Sequence, residues 1–158
     1  MVNLNEKAPE FYLKDKDGKT HTLNEIKTEY VIIYFYPKDD TPGCTLEAKE
    51  FSHKRYEFKK LNATILGISG GDEKSKAKFC EKHDIRIPLL SDPDFKVAQL
   101  YNAYGEKNFL GVKSKGIFRK TFILDKEHKI IKIFEKVKPE GHTNEIKAFL
   151  NERENNKL

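Results

Sequence analysis

The sequence has few cysteines, no long hydrophobic run and no block of like charge, and each absence excludes a class of protein. The longest apolar run, residues 31–36, is far shorter than the ~20 residues that a membrane-spanning helix needs. Residues 1–7 lack the apolar core of a signal peptide. We therefore expect a cytoplasmic protein without a membrane partner, whose 2 cysteines form no structural disulfide. Any pairing between them would be transient and catalytic.

The charges do not indicate a nucleic-acid partner. The 30 basic and 25 acidic residues give a net charge of +5, but they are interleaved along the chain. No basic stripe alternates with aromatic residues. At 158 residues, the chain is long enough for one core, and no repeat, low-complexity tract or linker divides it. We expect a single domain over residues 1–158, with a polar tail at 151–158 that frays.

Hydrophobic patterning predicts an α/β fold. The nearly all-polar helix at 72–84 is expected to open locally more easily than the helix before it, and the glycine-containing stretch 104–116 is predicted to be a loop. The predicted elements in chain order are a β-hairpin at 11–23, a strand at 31–36, a helix at 42–61, a strand at 63–69, the helix at 72–84, a short strand at 87–90, a helix from Asp92 to Tyr101, strands at 119–125 and 129–136, and a last helix that contains Ile146, Phe149 and Leu150.

Cys44 occupies the most informative position in this pattern. Thr41 and Pro42 are typical of a helix start, with Thr41 as N-cap and Pro42 at the first helical position. Cys44 then falls in the first turn, among free backbone N–H groups at the positive end of the helix dipole, where a thiol ionises more readily. Its spacing to Ala48, Phe51 and Phe58 predicts a sheltered place on the core-facing stripe. The alternative is an inert buried cysteine.

Three other chemistries fit the sequence poorly. The residues after Cys44 contain no second cysteine at Cys-x-x-Cys spacing, so the dithiol of a thioredoxin-type disulfide oxidoreductase is absent. Cys80 and His83, with Cys44, could be imagined as metal ligands, but they lack a paired motif. A Cys–His hydrolase would need a histidine beside Cys44, and no motif places any of the 5 histidines there.

A longer motif around Cys44 resembles a known family. The spacing of Pro37, Thr41 and Cys44 is similar to the PxxxTxxC signature of peroxiredoxins, and the string TPGCTLEAKEF resembles the bacterioferritin-comigratory, or PrxQ, subfamily. Further similarity at residues 67–69, 88–92 and 119–125 extends it over nearly the whole chain. The resemblance implies a thioredoxin-like fold, a central mixed sheet flanked by helices, here with an N-terminal β-hairpin extension.

The resemblance also assigns roles to residues. It implies that Cys44 is the peroxidatic cysteine, that Thr41 and Pro37 shape its pocket, that Arg119 completes it and that Glu47 orients the arginine. The Cys44 thiolate would attack a peroxide oxygen and become a sulfenic acid. Thr41 Oγ, backbone N–H groups and Arg119 would donate to the developing charge, and no metal, flavin or haem is required. Without the resemblance, Arg119 would be interpreted as a surface arginine at the end of a strand and Thr41 as a helix N-cap with no further role.

The second cysteine leaves alternatives open. Many members of the subfamily carry a resolving cysteine five residues after the first, but that position here is Lys49. Others carry it in the helix that follows the second core strand, which is where Cys80 lies. We therefore hypothesise an atypical two-cysteine mechanism, in which the helices around Cys44 and Cys80 unwind locally so that the two cysteines form a disulfide. An external dithiol such as thioredoxin then reduces this disulfide by exchange.

Two readings compete with this one. In the first, Cys80 is inert and the protein is a one-cysteine peroxidase; in the second, the protein is a redox sensor or holdase that does not turn over. We expect hydrogen peroxide and organic hydroperoxides as substrates. The resemblance to the subfamily also implies a monomer or weak dimer, and the sequence suggests no exposed apolar patch that would contradict this.

Overall fold

The computed structural model describes residues 2–157, and within them an α/β arrangement of nine strands and five α-helices. The strands are β1 Tyr12–Lys14, β2 Thr20–Thr22, β3 Tyr30–Phe35, β4 Ala63–Ser69, β5 Leu89–Ser91, β6 Tyr104–Phe109, β7 Val112–Ile117, β8 Lys120–Leu124 and β9 Ile130–Phe134. The helices are α1 Pro42–His53, α2 Arg55–Lys60, α3 Glu73–His83, α4 Lys96–Leu100 and α5 His142–Asn155, with a 3₁₀ turn at Leu23–Glu25.

Strand β3 is an interior strand of a seven-stranded mixed sheet with the order β2-β1-β5-β4-β3-β8-β9. It pairs in parallel with β4 and antiparallel with β8. All six of its residues are buried, and they alternate between two cores, as a strand covered on both faces requires. Val31, Ile33 and Phe35 pack on the side of α4, whereas Tyr30, Ile32 and Tyr34 pack on the side of α1, α3 and α5. The predicted mixed sheet flanked by helices is confirmed.

The N-terminal extension is a β-hairpin, as predicted. Strands β1 and β2 pair antiparallel around a turn in which Gly18 has a φ of 79°. Asp15 stabilises this turn by accepting hydrogen bonds from the backbone N–H groups of Asp17 and Lys19. The hairpin joins the edge of the sheet through β5.

The predicted single helix at 42–61 is wrong, because it is interrupted at Lys54. Lys54 has φ −100° and ψ 8°, and it separates α1 from α2. The Arg55 guanidinium donates to the Ser52 carbonyl at 2.6 Å, and the Ser52 hydroxyl accepts from the backbone N–H of Arg86. A side-chain donor thus takes the hydrogen-bonding position on a carbonyl in the last turn of α1. The sequence contains no glycine or proline here that would have predicted this break.

The predicted loop at 104–116 is also wrong. Strands β6 and β7 form a separate two-stranded hairpin, closed by Leu110 and Gly111, which have φ values of 51° and 81°. Two successive residues with positive φ match the two-residue turn that suits strand twist. The hairpin lacks apolar alternation because most of it is exposed. Its tip also contradicts the expectation of no apolar patch, since Phe109, Leu110 and Val112 are 75%, 88% and 67% exposed.

Two helix boundaries differ from the predictions. Helix α4 begins at Lys96 rather than at Asp92, because Asp92 is buried and its carboxylate accepts from the backbone N–H groups of Val97 and Ala98. Helix α5 continues to Asn155, so residues 151–155 of the tail that the sequence predicted to fray are helical; Leu158 lies outside the described residues. Glu154 accepts a hydrogen bond from Tyr30 at 3.1 Å, which ties the last turn to the sheet. None of the helices described over residues 2–157 is long and apolar enough to cross a membrane.

Candidate active site

Cys44 lies at the carboxyl end of β3, in the first turn of α1. Pro42 occupies the start of this helix, and Thr41 is its N-cap residue. The sulfur is nearly enclosed, since Cys44 is 1% exposed. Ala48 and Phe51 of α1 and Phe58 of α2 are buried in the same core cluster, so their predicted burial is confirmed although they do not lie on one helix. The helix therefore presents the thiol to the interior while its free N–H groups surround the first turn.

Thr41 has the N-cap position but its side chain does not cap the helix. Its hydroxyl instead donates to the Lys38 carbonyl at 2.8 Å. The bond closes the loop that leads into α1. Because the hydroxyl proton is engaged, Thr41 Oγ1 presents lone pairs and acts as an acceptor, not as the donor that the sequence suggested. Pro37, at the start of this loop, is half-buried.

Arg119 reaches Cys44 from the opposite strand. It precedes β8, whose Lys120 pairs with Phe35 at the end of β3, and its carbonyl accepts from the backbone N–H of Val137. From there Arg119 Nη2 lies 3.4 Å from Cys44 Sγ, and Nη1 donates to Glu47 Oε1 at 2.8 Å. The structure thus brings together three of the residues to which the motif resemblance assigned roles.

Glu47 is a buried carboxyl group with an incomplete set of partners. Its side chain is 0% exposed, and Oε2 has no hydrogen-bond partner among the described residues. Burial raises the pKa of Glu47 to about 7, although the Arg119 guanidinium opposes that rise. Desolvation would lower the pKa of Arg119, but Cys44 and Glu47 outweigh it and raise the pKa. The guanidinium therefore stays charged beside the sulfur, where it stabilises negative charge.

Gly43 allows this close approach. A Cβ on Gly43 would lie 3.2 Å from Arg119 Nη2 and 3.3 Å from Pro139 Cγ. The missing side chain makes room for the guanidinium next to Cys44. Sequence reasoning did not single out Gly43 as a site residue, although a glycine directly before a candidate nucleophile was a signal of close packing.

A surface groove runs from Arg119 to the β6–β7 hairpin. Its volume is about 830 Å³. Pro37, Phe109, Phe118 and Val137 supply apolar wall, and lysines lie along it. The groove gives solvent access to the guanidinium side of the Cys44 pocket.

Cys80 lies in α3, as predicted, and is 5% exposed. Both cysteines are free thiols, and they belong to the same buried cluster, which includes Tyr34. Burial raises the pKa of the Cys80 thiol. The described residues contain no group of three or more histidine, cysteine, aspartate or glutamate side chains that could hold a metal ion.

Comparison with known proteins agrees with this arrangement. Residues 4–133 match the model of the AhpC/TSA family. The chain is 42% identical to a putative peroxiredoxin bcp of Helicobacter pylori, over 92% of this chain and 95% of that one. It superposes with a TM-score of 0.88 and 36% identity on the Xanthomonas campestris bacterioferritin comigratory protein, covering 96% and 95% of the two chains.

Two solved mutants of Xanthomonas campestris peroxiredoxin Q are similar to the chain as well. Each has a TM-score of 0.87 and 35% sequence identity to this chain. The matches cover 97% of this chain and 98% and 97% of the two mutant chains. In each, one cysteine is replaced by serine. The two mutated positions are as far apart in that sequence as Cys44 and Cys80 are here.

The chain therefore belongs to the AhpC/TSA family, and it is an enzyme, a thiol-dependent peroxidase. Within that family its relatives are the Bcp and PrxQ peroxiredoxins, so the family that the PxxxTxxC motif suggested is confirmed. The thioredoxin-like fold is confirmed with it.

Proposed function

We propose that this enzyme reduces hydrogen peroxide and organic hydroperoxides through Cys44, with Arg119 as the group that stabilises the reacting charge and Glu47 as the carboxyl group that orients Arg119. The observation that carries the proposal is the contact between Arg119 Nη2 and Cys44 Sγ at 3.4 Å. A cation held beside the sulfur stabilises the negative charge that the attacking sulfur and the peroxide oxygens carry in the transition state. The similar Xanthomonas campestris bacterioferritin comigratory protein has alkyl peroxide reduction activity.

In the proposed step, the Cys44 thiolate attacks one oxygen of the peroxide and the O–O bond breaks. The sulfur is oxidised to sulfenic acid, and the leaving oxygen takes a proton to become water or an alcohol. Negative charge spreads over the sulfur and both oxygens, so Arg119 and the N–H groups of the first turn of α1 stabilise the transition state. Thr41 Oγ1 accepts a hydrogen bond from the peroxide hydroxyl, and Pro37 shields the reacting atoms from water.

Cys80 is the proposed resolving residue. Its thiol attacks the Cys44 sulfenic acid, which forms the disulfide and releases water. The spacing of the two mutated cysteines in the Xanthomonas relative supports this role. Because both sulfurs lie in folded helices and are free, α3 and the first turn of α1 unwind locally for the bond to form. A thioredoxin-like dithiol then reduces the disulfide by exchange. We place the enzyme in the cytoplasm as a single-domain monomer or weak dimer.

The test is the intact mass of reduced protein after one equivalent of hydrogen peroxide, beside the Cys44→Ser and Cys80→Ser variants. We expect the wild type to lose two hydrogens and neither variant to do so. Addition of oxygen to Cys44 without hydrogen loss in the wild type would make this a one-cysteine peroxidase with an inert Cys80. A single oxidation that a thioredoxin system does not reverse would favour the sensor instead.

A further inference from the structure

Helix α3 carries a lysine that is fully buried. Lys76 lies one turn before Cys80, and its side chain is 0% exposed although its neighbours Lys74 and Lys78 face solvent. Its ammonium group donates to Asp39 Oδ2 at 2.9 Å, to Asp39 Oδ1 at 3.2 Å and to Ser69 Oγ at 2.7 Å. A buried ammonium with this many acceptors is held firmly in place.

Asp39 belongs to the loop that leads into the Cys44 helix. Its carboxylate also accepts from the hydroxyl of Tyr36 at 2.6 Å, at the end of β3, and from the hydroxyl of Ser75 at 2.6 Å, in α3. We call the contacts of Asp39 with Lys76 and Ser75 the inner clasp. It joins the loop before Cys44 to the amino-terminal half of α3.

Asp40, the next residue of the same loop, contacts the carboxyl-terminal half of α3. Asp40 Oδ2 accepts from Lys82 Nζ at 2.9 Å, and Asp40 Oδ1 lies 2.7 Å from His83 Nε2. We call these contacts the outer clasp. Unlike the inner clasp it is open to solvent, since the Asp40 side chain is 41% exposed. Lys82 and His83 are in the last turn of α3.

The two clasps contact α3 on either side of Cys80 in the sequence, the inner one at residues 75 and 76 and the outer one at residues 82 and 83. Hydrophobic burial contributes little to α3, where Phe79 and Cys80 are the buried apolar side chains. Polar contacts from two consecutive aspartates therefore supply much of what holds this helix against the fold. Both aspartates lie directly before Thr41, in the loop that forms the entrance to the Cys44 helix.

We propose that the inner and outer clasps control the opening of α3, so that Asp39, Asp40 and Lys76 position Cys80 and set how readily its thiol leaves the core. For the disulfide step this rests on the proposed function. There, the Cys80 thiol displaces water from the Cys44 sulfenic acid only after the helix has opened. Because the same loop holds both clasps and the approach to Cys44, opening of α3 and rearrangement of the catalytic loop are linked.

The test measures helix opening without any peroxide chemistry. In a Cys44→Ser background, Cys80 is the only thiol, and its alkylation by N-ethylmaleimide reports exposure of α3. We expect Lys76→Met to raise the alkylation rate about tenfold or more, because it leaves the Asp39 charge buried without its partner. Asp40→Asn, which removes only the solvent-exposed clasp, should raise it about two- to threefold. Lys74→Met, on the exposed face of the same helix, is the control and should leave it unchanged.

Alkylation that is equally slow in Lys76→Met and Asp40→Asn as in the control would overturn the proposal. So would alkylation of Lys76→Met that is no faster than the global unfolding of the same variant, measured by circular dichroism, since the helix would then open only with the whole fold. Peroxide is added in a second experiment with Cys44 present. If the clasp variants speed alkylation but no variant forms the disulfide, the clasps stand and the resolving role of Cys80 fails.

Discussion

Two ion pairs with buried carboxyl groups, Asp39–Lys76 and Glu47–Arg119, are built differently. Asp39 and Lys76 use their polar atoms on protein partners, with Tyr36, Ser69 and Ser75 completing the set. Glu47 leaves Oε2 without a partner among the described residues, and Arg119 is 18% exposed. A satisfied pair fixes structure, whereas an unfinished pair keeps a cation available for charge that appears during a reaction.

The difference also separates the consequences of substitution. Removing one member of a satisfied buried pair leaves a charge without compensation and destabilises the fold. Removing the mostly buried arginine of the Cys44 pocket leaves a carboxyl group whose pKa burial raises to about 7 even against the opposing effect of Arg119, so the carboxyl group takes up a proton instead. We therefore expect the Lys76 site to govern stability and the Arg119 site to govern rate.

The largest expected effect is on stability at Lys76. Lys76→Met should lower the free energy of unfolding by about 3–5 kcal/mol, because Asp39 stays buried without its counter-charge. Urea denaturation of the reduced protein measures it, with Lys74→Met as the exposed control. A loss below about 1 kcal/mol, the range of exposed ion pairs, would show that the pair is not buried in solution.

The next effect is on rate at Arg119. Arg119→Met should lower the second-order rate constant for Cys44 oxidation by about 10²–10³, the range seen when one donor to a developing anion is removed. Stopped-flow measurement with hydrogen peroxide gives this constant, and unfolding should change much less than in Lys76→Met. Lys120→Met changes the neighbouring lysine and is the matched control. If both variants keep the wild-type rate, the contact with the Cys44 sulfur has no catalytic role.

The pH dependence of stability should separate Glu47 from a second buried group, His142. Burial lowers the pKa of His142 to about 4 from 6.5, so its contribution is complete above pH 6.5 and is lost as the pH falls towards 4. Burial raises the pKa of Glu47 to about 7 from 4.5. Its contribution to the free energy of unfolding is therefore complete below pH 4.5 and is lost as the pH rises through 7. In the wild type, the slopes that His142 and Glu47 give to the free energy of unfolding as a function of pH therefore have opposite signs.

Each variant should uncover one of these slopes. Relative to the wild type, Glu47→Gln should gain about 2–3 kcal/mol of unfolding free energy between pH 4.5 and 7, and His142→Gln should lose a similar amount between pH 4 and 6.5. Urea denaturation across this pH range measures both. Curves that run parallel to the wild type would mean that neither group titrates differently on folding.

The smallest effect should come from an ion pair at the surface. Lys157 bridges Glu154 at 2.9 Å in the last turn of α5, and both side chains are partly exposed. Glu154→Gln should cost only about 0.2–1 kcal/mol in thermal denaturation, and added salt should reduce the difference. A cost as large as that of Lys76→Met would remove the distinction between buried and exposed pairs.

The elements that the sequence predicted well are those with strong local signals. The apolar run at β3, the Thr-Pro helix start before Cys44 and the predicted helix start at residue 72 each depend on neighbours in the chain; at the last of these, the Asp72 side chain accepts from the backbone N–H of Ser75. The β6–β7 hairpin was missed because its exposed strands carry no apolar alternation. The break at Lys54 was missed because the Arg55 guanidinium, and not a glycine or proline, occupies the Ser52 carbonyl.

The sequence by itself determined the class of enzyme, the helix start at Cys44 and the mixed α/β order of elements, because backbone propensity and motif spacing are local properties. Only the tertiary structure decided that Arg119 and Glu47 meet Cys44, that Thr41 presents lone pairs, and that Lys76 is buried. Each of these depends on side chains from distant segments meeting in a low-dielectric interior. There, the balance between desolvation and partner charge is set by contacts that no local pattern encodes.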